Sequence, residues 1–340
     1  MTTLGNSDLD VFPLALGGNV FGWTADEATS HQVLDAFVAG GGNLVDTADG
    51  YSAWVPGNSG GESETIIGSW LRARGRRDDV VIATKVSTHP EFKGLAASNV
   101  RAAAEASLAR LGTDRIDLYY AHFDDESTPL EETVGAFNQL VEDGLVRHTA
   151  VSNYSAARIR EWVAIAEANG WAKPVALQPH YNLVQRTAYE AELAPVAREL
   201  NLSVLPYFAL AAGFLAGKYR TKADLEGASR GGQVEGYLTE AGLQVVGTLD
   251  EVAAAHGAEL SSVALAWLLA KPEVAAPIAS ARNLEQLPAL LAGAKLQLAA
   301  DEVAALVVDD AVVLPELQLT PRMATSSPVT AAATARDRVP

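Results

Sequence analysis

The chain has 340 residues, no cysteine, and 42 acidic against 25 basic residues, which gives a formal charge of −17. This acidic balance argues against nucleic-acid and anionic-membrane partners, because both need a basic surface. The absence of cysteine excludes disulfides, thiolate metal sites and a cysteine nucleophile, and with no signal-peptide pattern at the N-terminus it favours a cytoplasmic location.

Eight short apolar runs alternate with longer segments of helical period along the chain. Most of these runs are continuously apolar, as expected of strands buried on both faces of a parallel sheet. The predicted strands are 13–20, 43–48, 80–85, 116–122, 148–153, 176–181, 203–208 and 276–280. The predicted helices are 25–39, 63–74, 97–111, 130–142, 155–168, 186–200, 243–256, 261–270 and 284–293.

Eight strand–helix units in one chain predict an α/β fold, a (β/α)8 TIM barrel over residues 1–315. A doubly wound open sheet is the alternative, but the first strand is followed by no G-x-G-x-x-G fingerprint. Residues 209–240 are rich in glycine and lack a clear period, which predicts a long functional loop. Residues 316–340 are rich in Thr, Ser, Ala and Pro and are predicted to form a disordered tail.

Polar residues stand at or near the ends of the predicted strands, where a TIM barrel places its active site. Tyr51 lies five residues after Asp46, the first of these polar residues. Counted from Asp46 through Lys85, His122, Ser152 and Gln178 to Tyr207, the intervals are 26 to 39 residues, about one strand–helix unit each. The strand-end residues are Asp46, Lys85, His122, Ser152, Asn153, Gln178, Tyr207 and Ser280.

Asp46, Tyr51, Lys85 and His122 form a coherent chemical set. A tyrosine hydroxyl has a pKa near 10, and a nearby ammonium such as Lys85 is expected to lower that pKa. The carboxylate of Asp46 would keep the ammonium charged, and the imidazole of His122 could orient a carbonyl oxygen. Taken singly, Asp46 and Lys85 could also be a structural ion pair. The set moves protons but supplies no hydride, so a redox reaction would require a cofactor.

The sequence around these residues resembles the aldo-keto reductase family. The matching segments include "NLVDTADGYS", "GESETIIGSWL", "VVIATKV" and "IDLYYAHF", followed in order by "AVSNYS", "LQPHYNLVQR", "LPYFALAAGFLAGKY" and "APIASARNLEQL". The resemblance covers about residues 1–310 and implies a (β/α)8 barrel that binds NADPH without a Rossmann domain. It also implies catalytic roles for Tyr51 as general acid or base, for Lys85 and Asp46 in tuning it, and for His122 in orienting the carbonyl.

The same resemblance implies a set of cofactor-binding residues. Ser152, Asn153 and Gln178 would bind the nicotinamide carboxamide, and Tyr207 would stack on the ring. Lys218 would lie near the phosphates, and the 2′-phosphate would meet Ser280, Arg282 and Gln286. Many family members have a Glu-Asn pair that touches the adenine, but Ala289 and Leu290 stand there, so NADH remains possible beside NADPH.

The substrate pocket is predicted from the loops at the open face of the barrel. Trp23 and Trp54 fall in the loops after the first two strands and could wall a ring-shaped substrate. His89 and Phe123 are possible neighbours. The long connection 52–62 after Tyr51 favours a substrate larger than a simple aldehyde, such as a sugar, a keto-sugar or a bulky cyclic ketone. The partner is thus a small carbonyl or alcohol, and no oligomeric state is predicted.

Two other functions are compatible with parts of this pattern. A nicotinamide-binding redox sensor or regulatory subunit, like the potassium-channel β-subunits of this fold, would retain the same four residues. A carboxylate-based barrel hydrolase could use Asp46 with Glu62 or Glu64 and would need no nicotinamide. No H-E-x-x-H or H-x-H spacing is present, so no catalytic metal is predicted.

Overall fold

The structure, a computed structural model, describes residues 1–308. Eight parallel strands form one sheet in which the first seven pair in chain order and the eighth pairs with the first. The strands are β1 Ala15–Gly17, β2 Leu44–Asp46, β3 Val81–Val86, β4 Ile116–Ala121, β5 Val146–Ser152, β6 Ala176–Gln178, β7 Ser203–Val204 and β8 Ile278–Ala279.

The sheet closes on itself. β8 pairs with β1, and the segment before β8 joins β7 through a parallel bridge between Val204 and Val274. The Val204 amide donates to the Glu273 carbonyl at 2.8 Å, and the Ile278 amide donates to the Pro206 carbonyl at 2.9 Å. The predicted (β/α)8 barrel is therefore confirmed, and the open doubly wound alternative is wrong.

Helices cover the outside of the barrel. They are α1 Glu27–Ala39, α2 Glu62–Arg74, α3 Ala97–Leu111, α4 Leu130–Glu142, α5 Ala156–Asn169, α6 Ala194–Glu199, α7 Gly231–Val234, α8 Glu240–His256, α9 Leu260–Leu269, α10 Leu287–Gly293 and α11 Ala300–Ala305. Several ends follow the local sequence. The Ser155 hydroxyl caps α5, and Gly112 and Gly170 end α3 and α5 in the left-handed conformation.

The structure corrects several predicted boundaries for physical reasons. α1 begins at Glu27 rather than at residue 25, because the Asp26 carboxylate accepts from the Thr29 amide and caps the helix there. β7 is shorter than predicted because Pro206 offers no amide proton and Phe208 has a φ of 51°. The predicted loop 209–240 holds short helical turns, including α7. The predicted domain end at 315 and the tail 316–340 lie outside the described residues.

The barrel is packed inside as well as outside. Alternate strand residues, among them Leu44, Leu118 and Ala150, fill its interior, while the opposite faces pack against the helices. A short ribbon, Thr2–Thr3 with Asp10–Val11, was not predicted, and the buried Leu4 and Leu9 beside it extend the interior core. The packed interior leaves the loops after the strands as the place for a site.

No helix within residues 1–308 is by itself long and apolar enough to cross a membrane. α8 and α9 pass that test only as a pair, across a bend of 96°.

Candidate active site

Several residues in the loops that follow the strands have positive φ angles although they are not glycines. Ser52, Ser87, Asn153 and Phe208 are not glycines, yet their φ angles are 69°, 115°, 55° and 51°. Such conformations cost free energy and persist only where the surroundings enforce them, which is common at functional sites. Each of these residues adjoins, or lies within two residues of, a predicted site residue at the same end of the barrel.

Lys85 joins three of the four predicted catalytic residues into one hydrogen-bonded group. Its buried ammonium donates to Asp46 Oδ2 at 2.7 Å, to the Thr47 carbonyl at 2.7 Å and to Tyr51 Oη at 3.1 Å. These contacts use all three ammonium protons. Because Tyr51 accepts from Lys85, its own hydroxyl proton remains free to be donated to another group.

The pKa of Tyr51 differs from the expectation. Burial raises the pKa above its usual value, and Asp46 adds to that effect, while Lys85 lowers it. The ammonium thus acts in the predicted direction, but burial outweighs it, so the net pKa of Tyr51 lies above its usual value. Burial disfavours the charge on Lys85, yet Asp46 and Tyr51 together raise its pKa. Near neutral pH the group therefore pairs a protonated phenol with a charged ammonium.

His122, the fourth predicted catalytic residue, lies beside Tyr51, with the two ring centroids 6.2 Å apart. Burial and the nearby Lys85 hold the pKa of His122 well below its usual value, so its imidazole is neutral. Nδ1 lies 3.4 Å from the Thr88 hydroxyl. Nε2 makes no hydrogen bond to any residue in 1–308, which leaves one imidazole nitrogen available to a ligand.

The predicted nicotinamide residues form a connected layer next to this group. Gln178 donates to Asp46 Oδ1 at 2.9 Å, and its carbonyl accepts from the Ser152 hydroxyl at 2.9 Å. Asn153 donates to the His122 carbonyl at 2.9 Å and accepts from the Tyr207 hydroxyl at 2.8 Å. The Tyr207 ring is also stacked on His180, at 5.2 Å between centroids. The same residues that could hold a flat amide therefore also position Asp46 and His122.

Lys218 and Arg282, the two predicted phosphate contacts, lie near Arg230. Burial lowers the pKa of Lys218, and Arg282 and Arg230 lower it further. Burial likewise lowers the pKa of Arg230, and Arg282 adds to this. None of the three forms an ion pair with a residue in 1–308. Three cations of like charge without a carboxylate partner form a site suited to a polyanion.

The other residues predicted near the 2′-phosphate make local contacts. Gln286 accepts from the Arg282 amide at 3.0 Å, and the Ser280 hydroxyl donates to Asn19 at 2.8 Å. Arg230 also donates to Asn19, at 3.4 Å. Asn19 therefore links the loop after β1 to the long segment 209–240 and to the loop after β8.

The predicted substrate residues separate into two groups. Trp54 is 52% exposed, and its ring meets those of Trp23 and Tyr51 edge-on, at 5.7 and 6.1 Å between centroids. Phe123 lies 4.9 Å from the His122 ring. His89, by contrast, is buried and contacts Phe92, the Glu91 amide and the Gly60 region. The two tryptophans and Phe123 thus border the group around Tyr51, whereas His89 packs beneath the neighbouring loop.

Sequence reasoning missed five residues of this region, namely Asn19, Asp49, Thr88, His180 and Arg230. Asn19 stands near the end of the first predicted strand, so the rule that identified Asp46 could have found it. Asp49 and Thr88 closely follow strand ends and carried the same signal. Arg230 lies in a segment without periodicity, and only its place in the structure, over the Trp23 ring at 5.4 Å, reveals it.

Within the described range, no group of three or more His, Cys, Asp or Glu side chains could hold a metal ion. The two glutamates of the hydrolase alternative are also engaged. Glu64 pairs with Arg110 at 2.6 Å, and Glu62 accepts from the amides of Ser59 and Gly60. Both oxygens of Asp46 are occupied as well, so the geometry does not favour a carboxylate hydrolase.

Comparison with known proteins gives a consistent result. A family model described as the aldo/keto reductase family matches residues 13–308. The chain is 36% identical over 296 residues to "Uncharacterized oxidoreductase YrpG" of Bacillus subtilis (strain 168), covering 84% of this chain and 88% of that protein. It is 31% identical over 313 residues to "Norsolorinic acid reductase B" of Dothistroma septosporum, covering 86% and 76%. It is 33% identical over 296 residues to "Probable voltage-gated potassium channel subunit beta" of Oryza sativa subsp. japonica, covering 84% and 88%.

Proposed function

The chain belongs to the aldo/keto reductase family and is an oxidoreductase of that family, and from this premise we propose that it reduces an aldehyde or ketone to an alcohol, or runs the reverse. The observation that carries the proposal is the hydrogen-bonded group of Asp46, Lys85 and Tyr51 beside the neutral His122. Such a group can give a proton to a carbonyl oxygen or take one from an alcohol.

In the reductive direction, Tyr51 is the general acid. A reduced nicotinamide would supply the hydride that reaches the carbonyl carbon, and the Tyr51 hydroxyl gives its proton to the carbonyl oxygen. The phenolate left behind lies 3.1 Å from the Lys85 ammonium, which stabilises it until water returns the proton. His122 Nε2 faces the same oxygen and orients it. In the oxidative direction, the Tyr51 phenolate takes the proton of the alcohol.

The residues of this chain fit a nicotinamide cofactor, and we propose that NADPH is preferred over NADH. Ser152, Asn153 and Gln178 offer amide and hydroxyl groups beside Tyr207, which can lie against a flat ring. Lys218, Arg230 and Arg282 are the cations that would hold its phosphates. A steady-state assay with NADPH or NADH and a panel of carbonyls, followed at the nicotinamide absorbance band, tests both parts of the proposal.

Replacing Arg282 by Gln is expected to raise the KM for NADPH about 30-fold and to change the KM for NADH less than about twofold. The reason is that one charge-assisted contact to a 2′-phosphate is worth about 2 kcal/mol, and NADH lacks that phosphate. Arg160→Gln is the matched control, since Arg160 pairs with Glu199 on the outer surface. Equal losses with both cofactors would contradict a role for Arg282 at the 2′-phosphate.

For the substrate, we propose a bulky cyclic ketone or aldehyde with a flat ring. The edge-on pair of Trp23 and Trp54 beside Tyr51 provides aromatic surface for such a ring. The name of one relative, norsolorinic acid reductase B, indicates an acid rather than a sugar as the substrate of that protein. Of the substrate classes expected from the sequence, this proposal keeps the bulky cyclic ketone and drops the sugar and the keto-sugar.

Trp54→Ala is expected to raise the KM for an aromatic ring ketone about tenfold, because one lost aromatic contact is worth about 1.4 kcal/mol. The KM for a small aliphatic aldehyde should change less than about twofold. Trp54→Phe keeps an aromatic surface and should recover most of the loss. An equal rise in KM for both substrates would show that Trp54 orders the loop rather than binding the ring.

A regulatory role of the channel β-subunit type is the second candidate, favoured by the 33% identity to the rice potassium channel subunit beta. In that case the protein would bind nicotinamide tightly, turn over very slowly and form a stable complex with a protein partner. The carbonyl assay separates the two functions, because only an enzyme shows sustained turnover that depends on Tyr51.

A further inference from the structure

Asp49 is a fully buried carboxyl group for which the proposed reaction has no use. Its amide donates to the Lys85 carbonyl at 3.1 Å, which fixes Asp49 next to the proposed catalytic group. Oδ1 lies 3.3 Å from the Thr88 hydroxyl. Oδ2 is buried without a hydrogen-bond partner among the described residues. A buried carboxylate with an oxygen left unpaired is costly, whereas a neutral carboxyl can carry a proton there.

Thr88 connects Asp49 to His122. Its hydroxyl oxygen lies 3.3 Å from Asp49 Oδ1 and 3.4 Å from His122 Nδ1, so the three groups form a chain. A hydroxyl has only one proton to donate, so the chain can run in only one direction at a time. Long hydrogen bonds of this kind often tighten when a ligand completes the site.

We propose that Asp49 sets the tautomer of His122 through Thr88 and thereby decides whether His122 can donate a hydrogen bond to the substrate oxygen. If Asp49 carries a proton, it donates to Thr88, Thr88 donates to His122 Nδ1, and the ring proton is on Nε2. If Asp49 is ionised, Thr88 donates to Asp49, Nδ1–H donates to Thr88, and Nε2 becomes an acceptor. Asp49 and Thr88 are therefore positioning residues that act through His122.

The consequence for the reaction rests on the proposed function, in which Nε2 of His122 faces the substrate oxygen. An Nε2–H donor suits a carbonyl oxygen, which can only accept, and so supports the proposed reaction. A bare Nε2 cannot donate to that oxygen, and the single proton of an alcohol goes to the Tyr51 phenolate, so the tautomer with a bare Nε2 slows the reaction in both directions. His122 itself stays neutral because its pKa is held well below the usual value, so the switch concerns where the ring proton sits and not the ring's charge.

The charges around Asp49 place its ionisation in the working range of pH. Burial raises the pKa of Asp49 to about 8, and the Glu64 carboxylate of α2 adds to this, while the Arg110 guanidinium of α3 opposes it. Burial raises the pKa of the Tyr119 phenol of β4, and the negative charge of Asp49 raises it further. Thr88 and the neutral His122 face Asp49 from the loops after β3 and β4. Asp49 is therefore protonated at neutral pH and ionised at pH 9.

The tautomer can be read directly by long-range proton–nitrogen NMR of histidine rings in the full-length protein without substrate. The His122 resonances are assigned by their loss in His122→Gln. We expect the proton on Nε2 at pH 6.5 and on Nδ1 at pH 9, with a midpoint near the pKa of about 8. Asp49→Asn, which cannot ionise but can still donate, should keep the proton on Nε2 at both pH values.

The same variants predict a change in the pH profile. In the unmodified protein the reductive kcat/KM should fall about tenfold between pH 7 and pH 9. With a pKa of about 8, Asp49 is protonated in about ten of eleven molecules at pH 7 but in only about one of eleven at pH 9. Asp49→Asn should lose this fall. Thr88→Val should lose the pH dependence of the tautomer, and Thr88→Ser, which restores the hydroxyl, should regain it.

Two results would overturn the inference. One is a His122 tautomer that does not change between pH 6.5 and 9 in the unmodified protein. The other is a tautomer change of equal size in Asp49→Asn. The NMR measurement needs no turnover, so it tests the inference separately from the proposed function. If the tautomer changes with pH but no carbonyl is converted, the inference about His122 holds and the proposed function fails. Circular dichroism melts of each variant show that the fold is retained.

Discussion

Tyr51→Phe is expected to lower kcat for carbonyl reduction about a thousandfold, within the range seen when a general acid is lost. The variant removes one hydroxyl and keeps the ring that meets Trp54 and His122. Cofactor binding should therefore change little, and the KM for the carbonyl should change less than kcat. Steady-state kinetics and a fluorescence titration with NADPH measure the two quantities separately.

Tyr189→Phe is the matched control for this experiment. Tyr189 is also buried, its hydroxyl has no partner among the described residues, and it packs against Tyr181 outside the site. Its loss should leave kcat unchanged. If Tyr51→Phe retained more than about a tenth of the activity, another group or water would have to supply the proton.

Lys85→Met is expected to have the second largest effect, and to act on both rate and stability. Without the ammonium, the phenolate of Tyr51 loses its counter-charge at 3.1 Å, so kcat should fall at least about a hundredfold. Asp46 would remain buried without its ion partner, which should lower the free energy of unfolding by about 3 kcal/mol. Denaturant unfolding and kinetics on the same preparation measure the two losses.

Lys173→Met is the control for Lys85→Met, since Lys173 forms an exposed pair with Glu167 and should affect neither quantity. The double variant Asp46→Asn with Lys85→Met adds a sharper test. It also removes the buried Asp46 carboxylate that Lys85→Met leaves without an ion partner. Compared with Lys85→Met, the double variant should therefore regain much of the lost stability but none of the activity. A stability loss that persists in full would show that Lys85 contributes by packing and not by charge.

The strand–helix alternation was enough to predict the barrel, because its strands are apolar on both faces and its helices carry ordinary caps. The predicted ends were less accurate where backbone geometry decides them. β7 ends before Pro206, earlier than predicted, and α1 begins later than predicted, directly after the Asp26 cap. The short ribbon Thr88–His89 with Phe92–Lys93 has too few residues to show a period, so it escaped prediction.

The site was predicted in part for a similar reason. Asp46, Lys85 and His122 stand at strand ends and so share a regular spacing that the sequence displays. The sequence predicted the effect of the Lys85 ammonium on the pKa of Tyr51, but not the larger and opposite effect of burial, which only the fold reveals. Arg230 and Asp49 escaped notice since their contacts arise from loops that meet only in three dimensions.

Hydrogen bonds also couple the residues proposed to bind the cofactor to the proposed catalytic residues. Gln178 donates to Asp46, and Asn153 donates to the His122 carbonyl, so the layer proposed for the nicotinamide holds two of the proposed catalytic residues in place. Substitutions in that layer should therefore alter both cofactor binding and kcat. The separate Lys218, Arg230 and Arg282 cluster has no such link to Tyr51 through hydrogen bonds within residues 1–308.

The central claim is that this chain transfers hydride to a carbonyl with Tyr51 supplying the proton. Its most direct test is incubation of the protein with NADPH doubly deuterated at nicotinamide C4 and a panel of ring ketones and aldehydes, followed by mass spectrometry of the alcohols. We predict one deuterium on the former carbonyl carbon, with product formation reduced about a thousandfold in Tyr51→Phe. Tight NADPH binding with no deuterated alcohol from any carbonyl would contradict the account and favour a regulatory role.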